Sequence, residues 1–171
     1  MGIQVRLILG ALIAIIFQIV VAPNIAILGA QPNFIVVYII VISMIHPSDT
    51  TLVLAFISGL IFDALAQQPF GIMAFILVVS AFLFGRIYDK FTSNNIAVPL
   101  VVAMLCSLLV EVLSVGAYTE ISATTPEFFS ALIHTALPNT LYDSAAVLLV
   151  MPLLVKSLQG SDDAPAWGKG L

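Results

Sequence analysis

Three carboxylic acids sit inside runs of apolar residues in this chain: Asp63, Glu111 and Asp143. An ionisable group in such surroundings is costly and usually faces a protein interior or a wet cavity. It can bind a cation or polar ligand, act as a general acid or base, or fix helix packing through hydrogen bonds. For Asp63 the neighbours favour the packing role. Gly59 lies four residues before it, so both fall on one helix face, with Ala55 and Ala66 on the same stripe. A small-residue face carrying one acid is an interhelical contact face and not a lipid face. Gln67-Gln68-Pro69 ends that helix, because Pro disfavours the helical conformation in the residue before it. Phe70-Gly71 then opens the next apolar run.

Glu111 belongs to a polar stripe at helical spacing, Ser107, Glu111, Ser114 and Tyr118, and Asn139 with Asp143 forms a second. Other chemistry has no support. The chain has no Gly-rich phosphate loop, no HExxH and no CxxC or His cluster. No Ser, His and acid form a convincing set. No catalytic residue, cofactor or metal site is expected, and no nucleic-acid partner. Cys106 is alone in an apolar run and is given no disulfide or redox role.

The elements that must position these acids are membrane helices. Of 171 residues, 61% are hydrophobic and 8% charged, against about 25% charged in an ordinary soluble domain. Mean hydropathy is +1.19. A soluble domain of this size has too little interior for so much apolar surface, so a multi-spanning membrane protein is expected. The apolar runs are 7–22, 34–45, 50–66, 70–84, 96–118 and 139–158. The first lacks a small-residue cleavage site and reads as a retained span. The second is short for a span, which usually needs about 20 residues; it borrows Ile25–Leu28 or continues past His46-Pro47. Residues 85–95 read as a polar loop. Residues 127–137 read as a short amphipathic helix with Glu127, Ser130 and His134 on one face, separated from the last span by Pro138.

Charge placement sets the count at six. With six spans, Arg6, Arg86, Lys90, Lys156 and Lys169, all the Lys and Arg of the chain, share one side with both termini. The positive-inside rule makes that side cytoplasmic. Asp63, Glu111 and Asp143 then all lie in the outer half of the membrane, where His134 is the only cationic candidate; its plainer reading is an interfacial residue without a partner. The expected fold is an all-α integral membrane protein. Residues 1–158 form one six-helix transmembrane domain, and 159–171 a short disordered cytoplasmic tail. Gly10 and Ala14 give the first span a small-residue step, a candidate helix-contact face. Membrane lipid is an expected partner.

The sequence resembles the bacterial rod shape-determining protein MreD family. The resemblance rests on Gly59-Leu60-x-x-Asp63 followed by Pro69-Phe70-Gly71, and on Pro138-x-x-Leu141-Tyr142-Asp143 through Pro152. It covers roughly residues 1–158; the family often has Asn at the position of Asp143. It implies a non-enzymatic inner-membrane subunit of the cell-elongation complex. Implied partners are an MreC-like single-span protein and, more widely, MreB, RodA and a class B penicillin-binding protein. The family is similar in architecture to the substrate-binding subunits of energy-coupling-factor transporters. That supplies the alternative, a vitamin-uptake subunit whose outer acids Asp63, Glu111 and Asp143 line a closed pocket. Candidate functional or packing residues are therefore Gly59, Asp63, Gly71, Glu111 and Asp143.

Overall fold

A computed structural model describes residues 2–27, 30–66, 69–90, 97–122, 130 and 132–158. Among these residues the chain forms six α-helices: α1 (Ile3–Val20), α2 (Phe34–Ile45), α3 (Asp49–Leu65), α4 (Ile72–Lys90), α5 (Ala97–Ser122) and α6 (Leu137–Leu158). A 3-10 turn, Ala22–Ile25, follows α1, and a π-helical turn, Leu132–Ala136, leads into α6. Among the described residues, β pairing is limited to one isolated bridge between Ile27 and Ala30.

The centre is α2. Its sequence FIVVYIIVISMI is apolar on every side, and all residues from Ile35 to Ile45 are buried. A helix apolar all round belongs in an interior. Helices α1, α3, α4, α5 and α6 all pack against it. At 12 residues, α2 is about 18 Å long, well short of the roughly 30 Å hydrocarbon layer. The expectation that it borrows Ile25–Leu28 or runs past His46 is wrong. Ile25 belongs to the 3-10 turn, and the chain leaves the helix at His46. A short helix is tolerated because protein, not lipid, surrounds its ends. Irregular backbone at membrane depth needs only that its polar groups find partners.

The outer helices turn apolar side chains away from this core. Ile8, Leu12 and Ile16 of α1, Val53 and Phe56 of α3, Phe75 of α4, Leu105 of α5 and Leu149 of α6 are all exposed. So much outward apolar surface suits a hydrocarbon surround. Two segments, Ile3–Val20 and Leu132–Ser157, are long and apolar enough to cross a membrane; Phe34–Ile45, Ile72–Ile87 and Val101–Ala117 are shorter apolar stretches.

Two boundaries differ from the sequence reading. The expected loop at 85–95 begins later, because α4 continues to Lys90. Pro138 separates nothing. It lies in the first turn of α6, where a helix has no use for its missing N–H, and the π turn runs straight into that helix. Glu127, Phe128, Phe129 and Ala131 of the expected amphipathic segment and the 159–171 tail fall outside the described residues.

Candidate functional site

Helix α4 begins at Ile72, and its first amides need acceptors from outside the helix. Asp63, in the last turn of α3 and fully buried, supplies them. Its Oδ2 accepts from the Gly71 N–H at 2.8 Å, and its Oδ1 from the Met73 N–H at 3.1 Å. A carboxylate at a helix N-terminus is also favoured by the helix dipole. Gly71 has φ +96°, a left-handed conformation that a side chain resists. That turn aims its N–H back at Asp63. One turn earlier on α3, Gly59 lets the two backbones touch: a Cβ there would lie 2.3 Å from the Ala74 Cα. Gly59, Asp63 and Gly71 therefore form one device that closes the α3–α4 hairpin. Ala55 shares the buried face, but Ala66, expected on the same stripe, is exposed.

A second group of side chains holds the buried start of α2. Asp143 Oδ1 accepts from the Asn33 N–H at 2.6 Å, and Ser107 Oγ donates to its Oδ2 at 2.9 Å. Gln18 of α1 accepts from the Phe34 N–H at 2.8 Å through Oε1. Asn33 Oδ1 accepts from the Val36 N–H at 3.2 Å. Asn139 Oδ1 takes the Gln31 N–H at 3.3 Å, while its amide reaches Glu111 Oε2 at 3.5 Å. Chain segments more than a hundred residues apart are joined here, as the pair Asn33 and Asp143 shows.

Between the two groups is a polar cavity of about 260 Å³, just under the roughly 300–1,000 Å³ of ordinary ligand sites. Gln18, Asn33, Met73, Glu111, Ser114 and Asn139 are among its lining residues. Of the three acids only Glu111 faces it. Asp63 stands behind Met73 and Asp143 behind Asn33, each bonded to that residue's backbone N–H. A pocket lined by all three acids, as the uptake reading requires, is not what the fold builds. His134 is exposed on the π turn and does not line the cavity. On the α5 stripe, Ser114 donates to the Val110 carbonyl at 2.7 Å and contacts the Met73 sulfur at 3.7 Å. The Tyr118 side chain lies outside the described residues.

Gly10 and Ala14 face inward. A Cβ on Gly10 would lie 2.6 Å from the Tyr38 hydroxyl of α2, and that hydroxyl donates to the Leu7 carbonyl at 2.6 Å. Ala14 is buried. The sequence reading missed Gln18, Asn33 and Tyr38. The available signal was their position: Gln18 interrupts an apolar run, and Asn33 follows a Pro and directly precedes another.

The family model described as rod shape-determining protein MreD matches residues 2–160, nearly the whole chain. No curated protein and no solved structure matches it. The likeness to energy-coupling-factor subunits thus has no structural support.

Proposed function

The chain belongs to the rod shape-determining protein MreD family, a membrane family of cell-shape determination, and from that premise we propose that it is a non-enzymatic, multi-pass subunit of the bacterial inner membrane. In this reading it organises peptidoglycan synthesis through protein contacts. Its immediate partner is an MreC-like single-span protein, and the wider assembly contains MreB, RodA and a class B penicillin-binding protein.

The observation that carries this reading is the use made of the buried acids. Asp63 and Asp143 each spend both carboxylate oxygens on bonds within the fold. Acids committed to helix ends suit a scaffold better than a catalyst or carrier. Six spans with both termini cytoplasmic are supported by the sorting of Lys and Arg. The Arg6 side chain, which donates to the Ser157 carbonyl at 2.9 Å, supports the same topology by tying the start of α1 to the end of α6.

Affinity purification in mild detergent tests the proposal. An MreC-like protein co-purifies, and no small molecule is retained in stoichiometric amount. A stoichiometric small molecule lost on Asp63→Ala overturns it. Reporter fusions test the topology: those after Asn94 and Leu171 read cytoplasmic and one after Thr124 external, and an external signal at Asn94 refutes it.

A further inference from the structure

Helices α1 and α6 barely touch each other; both lean on α2. The space left between them is an apolar groove of about 770 Å³. Leu9, Ile13 and Phe17 form one wall, Leu149 and Leu153 the other, and Tyr38 lies in the floor. The wall residues are exposed, Leu149 to 71% and Leu153 to 68%, and no described residue covers them. At one end the groove reaches Arg6 and Ser157, with exposed Lys156 beside Ser157 on α6.

We propose that this groove seats an acyl chain of an anionic phospholipid whose phosphate rests on Arg6. Charge identifies the occupant. Lipid tails are as apolar as Leu, so seating a hydrocarbon chain here brings little gain by itself. Preference for one lipid over the bulk must come from the headgroup, and the groove's polar end is basic. Arg6 uses a guanidinium N–H on the Ser157 carbonyl; a guanidinium carries five such donors, and its planar fork suits phosphate oxygens. A partner's helix fits less well. Close helix contact in lipid relies on small residues; Gly10 and Ala14 do line this groove, but Gly10 lies tight against the Tyr38 ring and Ala14 is buried, both below walls of larger side chains. What remains are long, adaptable Leu, Ile and Phe side chains, which suit a flexible chain. The proposal is independent of the scaffold reading, since it concerns the lipid and not the protein partner.

The test uses the full chain reconstituted in vesicles of phosphatidylcholine and phosphatidylglycerol, with bound lipid counted by native mass spectrometry. Phosphatidylglycerol is retained about fivefold over its share of the bulk, the factor expected for one basic side chain near an anionic surface. Arg6→Gln removes that enrichment and Arg6→Lys keeps most of it. Leu149→Trp, which fills the groove, lowers retention of both lipids, while Arg86→Gln at a separate site changes nothing. Protection of buried Cys106 from thiol reagents shows that each variant is folded; should Arg6→Gln fail this check, Lys156→Gln with Arg6→Lys carries the charge test. Equal retention of the two lipids by the unaltered protein overturns the proposal, as does full enrichment in the Arg6→Gln variant. Capture of a protein helix instead of lipid by a photo-crosslinker at Leu153 in native membranes does so as well.

Discussion

Helices α1 and α2 are adjacent, antiparallel in a hairpin sense of chain order, and similarly apolar, yet they meet opposite surroundings. Helix α1 has 18 residues and buries only Leu7, Ala11 and Ala14. Helix α2 has 12 residues and buries 11 of them. The last carbonyls of the long helix are met locally, Phe17's by the Val21 N–H and Val20's by the Asn24 side-chain amide. The short one ends within the protein, so Asn33, Gln18, Asn139 and Asp143 must do that work. The opposite end of α2 shows the milder solution. There Ser48 caps α3 by accepting from the Thr51 N–H at 3.3 Å, and the Thr51 hydroxyl donates to the His46 carbonyl at 2.7 Å. Buried carboxylates hold the starts of α2 and α4, while hydroxyls suffice at the turn into α3.

This contrast can be broken by mutation, and Cys106 offers a built-in reading. It is free and fully buried, so its labelling rate on heating in detergent follows unfolding. The largest effect is expected for Asp143→Ala, which strands the Asn33 N–H and the Ser107 hydroxyl in an enclosed site. The loss is about 3 kcal/mol, at the upper end for unsatisfied buried groups. Asp143→Asn keeps an acceptor for the Asn33 N–H and recovers more than half of that. Equal damage from the two variants would refute the capping role.

Asp63→Ala comes next, at about 2 kcal/mol, since two amides of the α3–α4 turn lose their acceptor. It also impairs cell-shape complementation more than Asp49→Ala, a change at an exposed position of the first turn of α3. Equal complementation by both variants at equal membrane abundance would show that the α3–α4 lock is dispensable.

Gly71→Ala follows, with a loss of about 1–2 kcal/mol from its left-handed backbone. Space around Gly71 is open, so the cost is conformational, and Gly71→Asn, which tolerates this region better, should be milder. Identical labelling curves for the Ala and Asn variants would point to a steric cause instead. The smallest effect is expected at the other end of the comparison. Ser48→Ala costs about 1 kcal/mol or less, because neighbouring groups and water replace a hydroxyl cap at a partly exposed turn. A loss matching that of Asp143→Ala would erase the distinction between enclosed and wet helix ends.

Membrane class, the six helices formed among the described residues and the candidate acids were legible in the amino-acid sequence. Composition alone excludes a soluble core, and each polar interruption shows where a helix must accommodate a costly group. Gly59, Asp63 and Gly71 were legible as a unit because their partners are local: the carboxylate and the amides it accepts lie within ten residues. The long-range pairs were not. Nothing in the spacing of Asn33 and Asp143, or of Gln18 and Phe34, states that they meet; only the packing of α6 and α1 around α2 brings them together. Pro138 was misread for a related reason. A proline signals a break in isolation, but it is compatible with the first turn of a helix, and the preceding π turn supplied that start.

The sequence by itself determined that these segments are apolar helices and which residues are too polar to face lipid. Only the tertiary structure decided which helix lies at the centre. In water, hydropathy separates inside from outside, because exposed apolar surface is costly. In a bilayer both the protein core and the lipid are apolar, so α1 and α2 carry similar residues while one faces hydrocarbon and the other is enclosed by protein. What distinguishes them is length and the supply of hydrogen-bond partners at their ends, and two of those partners, Asn139 and Asp143, come from the far end of the chain.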